Sequence, residues 1–141
     1  MLALAGNNVL TVEQSEEFIA IARSLIPKEL QATIEFSHRP AEVVQCFAPY
    51  QYCLNFPDIP SIPYDLVVID GPDGWEEPNG KIDLPNGNIV ELLDTIKIGA
   101  KIYLDGRKTS SWLYRKYLLE RMPLVEHGKN YGIFEKIALK K

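Results

Sequence analysis

Between Tyr64 and Pro72 the chain reads Tyr-Asp-Leu-Val-Val-Ile-Asp-Gly-Pro, and this stretch constrains the fold more than any other. Leu66 to Ile69 form an unbroken apolar, mostly β-branched run. A run that short, bounded by turn residues, predicts a strand covered on both faces. Gly71 permits a sharp turn and Pro72 ends the ladder. Asp70 is then expected at the carboxyl end of a central parallel strand, where open α/β sheets bind ligands.

The flanking segments predict alternating strands and helices. Asn8 to Glu13 is a β-branched strand candidate. Ser15 can cap a following helix, with Glu16 and Glu17 at its positive end. Phe18, Ile21, Ala22 and Leu25 recur at helical spacing, which predicts a face packed on a sheet. Pro27 closes that helix. A second strand is expected over 32–37, and 41–47 reads as either a short helix or a strand. Prolines 49, 57, 60 and 63 then mark an irregular approach to the central strand.

Beyond Pro72 the residues 73–87 are rich in Gly, Pro and Asn and predict a long loop at the carboxyl end of the sheet. Ile89, Leu92, Leu93 and Ile96 form the next helical face, with Gly99 as its C-terminal cap. Lys101 to Gly106 predicts another strand ending in aspartate and glycine. Thr109 or Ser110 can cap a helix carrying Leu113, Tyr114, Tyr117, Leu118 and Met122. Leu124–His127 and Tyr131–Leu139, joined by Gly128-Lys129-Asn130, predict an antiparallel hairpin. Strands alternating with helices predict a mostly parallel sheet with helices on both faces.

A chain of 141 residues is enough for one domain with a real core, spanning 1–141. No apolar run approaches the length of a membrane span, and Met1 to Gly6 is too short for a signal peptide. A net charge of −4 without blocks of like charge argues against non-specific nucleic-acid binding. Cys46 and Cys53 could pair, but two cysteines make no disulfide framework, and buried thiols in a reducing cytoplasm are the expectation. His38 and His127 lack metal-ligand spacing, so no metal site is expected.

This order of elements, with these strand ends, resembles the class I S-adenosylmethionine-dependent methyltransferases. Their sheet has seven strands in the order 3-2-1-4-5-7-6, the seventh antiparallel. Val9 to Glu13 is similar to their second strand, Tyr64 to Pro72 to the fourth, Ala100 to Gly106 to the fifth, and the final hairpin to the sixth and seventh. The family's first strand and glycine-rich loop should precede Asn8, where only Met1 to Asn7 is present, with one glycine. The resemblance therefore implies an α/β, Rossmann-like, mostly parallel sheet with a C-terminal antiparallel hairpin and the first strand missing. It also implies a truncated, fragmentary or degenerate member. Tyr64 to Pro72 followed by Asp73-Gly74-Trp75 and Pro78-Asn79-Gly80, with Asp105-Gly106-Arg107 later, further resembles glucuronoxylan 4-O-methyltransferases and their small bacterial relatives.

The resemblance implies S-adenosylmethionine as cofactor, with O-methyl transfer to a small-molecule or saccharide acceptor as the parental activity; the charge and the lack of long apolar runs leave no nucleic acid and no membrane as expected partners. Glu13 would accept hydrogen bonds from the ribose hydroxyls; otherwise it is a solvated charge at a helix entry. Ser37 and His38 would lie at the adenine, or belong to the surface. Asp70, followed by Gly71 and Pro72, would sit beside the reacting methyl and orient or deprotonate the acceptor; the alternative is a strand-end carboxylate capping the next turn. Asp105 and Arg107 form a second pair at the same rim. Arg107 could grip an acidic acceptor or pair with Asp105 or Asp73 and stiffen the loop. Trp75 could stack on a sugar or adenine face, or simply pin its loop. The rival class is a non-catalytic interaction domain, a homodimer covering an open sheet edge. No Gly-x-Gly-x-x-Gly follows a strand, which disfavours a nicotinamide-dependent dehydrogenase.

Overall fold

The computed structural model describes residues 6–46, 51–72, 75–77 and 80–139. Among the described residues ten strands and four helices follow one another. They are β1 (Val9–Glu13), α1 (Glu16–Leu25), α2 (Lys28–Gln31), β2 (Ile34–His38), β3 (Glu42–Gln45), β4 (Tyr52–Asn55), β5 (Leu66–Ile69), β6 (Trp75–Glu77), β7 (Gly80–Ile82), α3 (Asn88–Leu92), β8 (Lys101–Asp105), α4 (Lys108–Tyr117), β9 (Leu124–His127) and β10 (Tyr131–Glu135).

The expected single, mostly parallel Rossmann-like sheet is not what forms. The described strands make four separate sheets: a parallel pair β1–β2, an antiparallel pair β3–β4, an antiparallel ribbon β6–β7, and a mixed sheet in the order β5-β8-β10-β9. Only β1–β2 and β5–β8 run parallel; the other four pairings are antiparallel. The reason lies in the connections. Parallel neighbours need long crossovers, usually helical, but β3 pairs antiparallel with the next strand, β4, and the expected loop 73–87 contains the ribbon.

The mixed sheet carries the core on one face. Ile69, Ile102, Leu104 and Phe134 point from its strands into a cluster with Ile89, Leu92, Leu93 and Ile96, and with Leu113, Tyr114, Leu118 and Met122. β8 alternates buried and exposed residues, the pattern of a sheet packed on one side. The central run is therefore not covered on both faces: Leu66 and Val68 remain 39% and 54% exposed. Tyr103 and Tyr131 stack with ring centroids 5.7 Å apart on neighbouring strands.

β1, α1 and β2 form a smaller unit. Ser15 Oγ accepts from Phe18 N at 3.3 Å and caps α1 as expected. The predicted packing of Phe18, Ile21 and Leu25 on a sheet does not occur: all three are exposed, and only Ile19 of this helix is buried. Arg23 instead lies over the Phe36 ring, 5.0 Å from its centroid. Cys46 and Cys53, expected as free thiols, are joined in a disulfide across β3 and β4, with Cα atoms 5.4 Å apart. Hairpin pairing that sets Val44 opposite Cys53 brings Cys46 within reach.

Candidate functional site

β5 and β8 pair in parallel with Ile69 opposite Leu104, so Asp70 and Asp105 leave the sheet side by side. Both are exposed. Gly106, with φ +48, turns the chain and donates its N–H to Asn130 O at 2.7 Å. Arg107 follows, its N–H 2.5 Å from Asp105 O. Its guanidinium reaches back across the rim: Nη1 donates to Pro72 O at 2.5 Å and Nη2 to Asp70 O. Arg107 therefore stiffens the segment after β5 through main-chain carbonyls. The Gly71–Pro72 peptide is cis. The alternative partner Asp73 lies outside the described residues, as do Gly74, Pro78 and Asn79. Of the five residues expected at this rim, all five are brought together: Asp70, Gly71, Pro72, Asp105 and Arg107.

The other expected residues sit at the carboxyl ends of β1 and β2, in register as Val12–Ser37 and Glu13–His38. Glu13 Oε1 accepts from Ser15 N at 2.9 Å, so one oxygen fastens the turn into α1. Ser37 Oγ accepts from Arg39 Nε at 2.8 Å. His38 Nε2 lies 2.9 Å from Gln14 O, and Nδ1 lies 3.4 Å from Glu16 Oε1. Ser37 and His38 are thus engaged in local structure. Arg39 connects this unit onward, donating from Nη1 to Pro57 O at 2.8 Å and to Asp58 O at 2.7 Å.

Asn86 and Asn88 hold the rim from behind. Asn86 N donates to Ser110 Oγ at 2.9 Å, and the fully buried Tyr114 hydroxyl donates to Asn86 O at 2.9 Å. Burial pushes the Tyr114 hydroxyl well above its ordinary range, so it stays a donor. Asn86 Nδ2 reaches Gly71 O at 3.4 Å. Asn88 binds both polar groups of the Phe56 backbone, at 2.9 and 2.8 Å. The readable signal was the run Pro85-Asn86-Gly87-Asn88: Asn86 Oδ1 accepts from Asn88 N at 3.1 Å, the local turn that asparagine favours before a helix. The expected hydroxyl caps of α4 are absent. Thr109 Oγ1 donates to Asp83 at 3.1 Å and Ser110 binds Asn86, so both serve distant segments.

Among the described residues no group of three or more His, Cys, Asp and Glu side chains could hold a metal ion, and no helix is long and apolar enough to cross a membrane. No protein-family model, no curated protein and no solved structure matches this chain.

Proposed function

We propose that the chain carries the acceptor-side rim of an S-adenosylmethionine-dependent O-methyltransferase acting on a small-molecule or saccharide hydroxyl. The observation that supports this reading most is the mixed sheet: β5 and β8 are parallel neighbours with Asp70 and Asp105 at adjacent carboxyl ends, and β10 lies antiparallel between β8 and β9. The methyltransferase resemblance assigns these four segments the same neighbours.

The residues present fit the cofactor in part. One oxygen of Glu13 is engaged by Ser15, leaving the other to accept from a ribose hydroxyl. Ser37 and His38 are committed locally and offer the adenine little. When bound, the cofactor supplies a methyl group on a positively charged sulfur. The residues of this chain would orient the acceptor: Asp70 would take the hydroxyl proton as the methyl carbon passes from sulfur to oxygen and the neutral thioether departs, while Arg107 fixes the Asp70–Pro72 backbone. A cytoplasmic location belongs to this reading and requires the Cys46–Cys53 disulfide to be open in the cell. Thiol trapping at lysis should capture both cysteines reduced.

Amide NMR during titration with S-adenosylhomocysteine tests the proposal. Shifts concentrated at Glu13, Asp70 and Gly71 and diminished in Glu13→Gln are expected; no shifts at millimolar ligand would sink it. A second reading, a non-catalytic homodimeric interaction domain, is favoured by two exposed apolar surfaces: Phe18, Ile21 and Leu25 on α1, and Leu66 and Val68 on edge strand β5. It predicts a dimer by light scattering that Val68→Lys dissociates, together with an unresponsive ligand titration.

A further inference from the structure

A cleft of about 640 Å³ opens between the first two turns of α4 and the turn joining β9 to β10. Its lining includes five basic side chains, Arg107, Lys108, Arg115, Lys116 and Lys129, and no carboxylate. The concentration is marked for an acidic chain. Those five are drawn from fifteen Lys and Arg, leaving ten to face nineteen Asp and Glu elsewhere. Among the described residues no carboxylate lies within ion-pair distance of Lys108, Arg115, Lys116 or Lys129. Lys116 Nζ instead sits 4.9 Å from the centroid of the Trp112 ring.

Like charges gathered in one concavity repel, and their field concentrates counter-ions there. Glu126 lies at the margin, where its carboxylate accepts from the Tyr131 hydroxyl at 2.7 Å, but among the described residues it pairs with none of Lys108, Arg115, Lys116 and Lys129, so an external anion suits these four. We infer that the cleft binds a phosphorylated small molecule, its phosphate held by Lys108, Arg115, Lys116 and Lys129. Three arguments select that class. The volume lies in the range of small-ligand sites. A phosphomonoester carries close to two negative charges near neutral pH and three acceptor oxygens, matching several cations better than a single carboxylate does. Outside the cleft the chain is strongly acidic, which disfavours a long polyanion lying across the surface. Arg107 adds charge but is already bound to main-chain carbonyls. The inference is independent of methyl transfer.

Titration calorimetry with inorganic pyrophosphate, glucuronate and single-stranded oligonucleotides of increasing length tests it. Pyrophosphate should bind, weaken as salt is added, and shift the Trp112 indole resonance; glucuronate should bind at least tenfold more weakly. The double variant R115Q/K116Q, with both positions exposed, should melt at the same temperature and lose roughly tenfold in pyrophosphate affinity, the loss of about one charge-assisted hydrogen bond. Absence of pyrophosphate binding, or affinity unchanged in the double variant, would overturn the proposal. So would oligonucleotide affinity that exceeds that of pyrophosphate and grows with length, which reassigns the cleft to nucleic acid.

Discussion

A Cβ added at residue 87 would press into Asn55 Oδ1 and lie 2.9 Å from Cys53 Cβ. Gly87 has an ordinary φ of −98, so its glycine is required by space and not by backbone conformation. Both neighbours are buried and neither can retreat. Overpacking costs about 1–3 kcal/mol, against a gain of about 0.4–1 kcal/mol from stiffening the unfolded chain. Gly87→Ala should therefore lose about 1–2 kcal/mol by urea denaturation. Charge matters differently at Asp94. The hydrogen bond and opposite charge of Arg121 hold its carboxyl below the ordinary carboxylate range. A folded value below the unfolded one stabilises above about pH 4 and is lost as pH falls further. The urea midpoint should drop between pH 5 and pH 3, and Asp94→Asn should flatten that drop. An equal slope in the variant would refute the assignment.

Among the elements, α1 leans on its cap, because Phe18, Ile21 and Leu25 of its apolar stripe are exposed. Ser15→Ala should cost about 1 kcal/mol and speed amide exchange across 16–25, leaving β8 unchanged. The contrast between α1 and α4 explains what the sequence could disclose. Ser15 was readable because its partner, Phe18 N, is three residues away. Leu113, Tyr114, Leu118 and Met122 were readable as a stripe and are buried as one. Phe18, Ile21 and Leu25 make an equally clear stripe, but periodicity reports a face and not its partner. The antiparallel terminal hairpin followed from Gly128-Lys129-Asn130, and the rim followed from two strands that each end in aspartate. The Ser110–Asn86 bond depends on tertiary approach, which no local pattern encodes, and the Cys46–Cys53 disulfide depends on 42–45 being a strand paired with β4, where the sequence allows helix or strand. Alternation of strands and helices does not say which strands share a sheet: the parallel pair β1–β2 stays apart from β5 and β8, so no single parallel sheet forms.

For the molecule as a whole, Arg39 is one connection between the β1–α1–β2 unit and the segment leading to β5, donating to two carbonyls of that segment and to the Ser37 hydroxyl of its own unit. Lysine keeps the charge but not the planar fork. Arg39→Lys should accelerate amide exchange in β1 and β2 and leave β8 and β10 protected; uniform acceleration would show that the two parts open together. The Asn86 hub has a chemical consequence of another kind. Asn-Gly is the dipeptide in which the following backbone nitrogen most readily attacks the side-chain amide, expelling ammonia to close a cyclic imide that water then opens to an acid. In the folded chain the Gly87 nitrogen is held in a hydrogen bond to Leu54 O at 3.2 Å, and Asn86 is buried with its side chain fixed on both sides. Each opening of this region releases that nitrogen, and each conversion would put a carboxylate where Gly71 O now accepts an amide hydrogen. The molecule thus keeps a slow clock beneath its rim, running only while the rim is open, and its ageing is a record of how often the fold lets go.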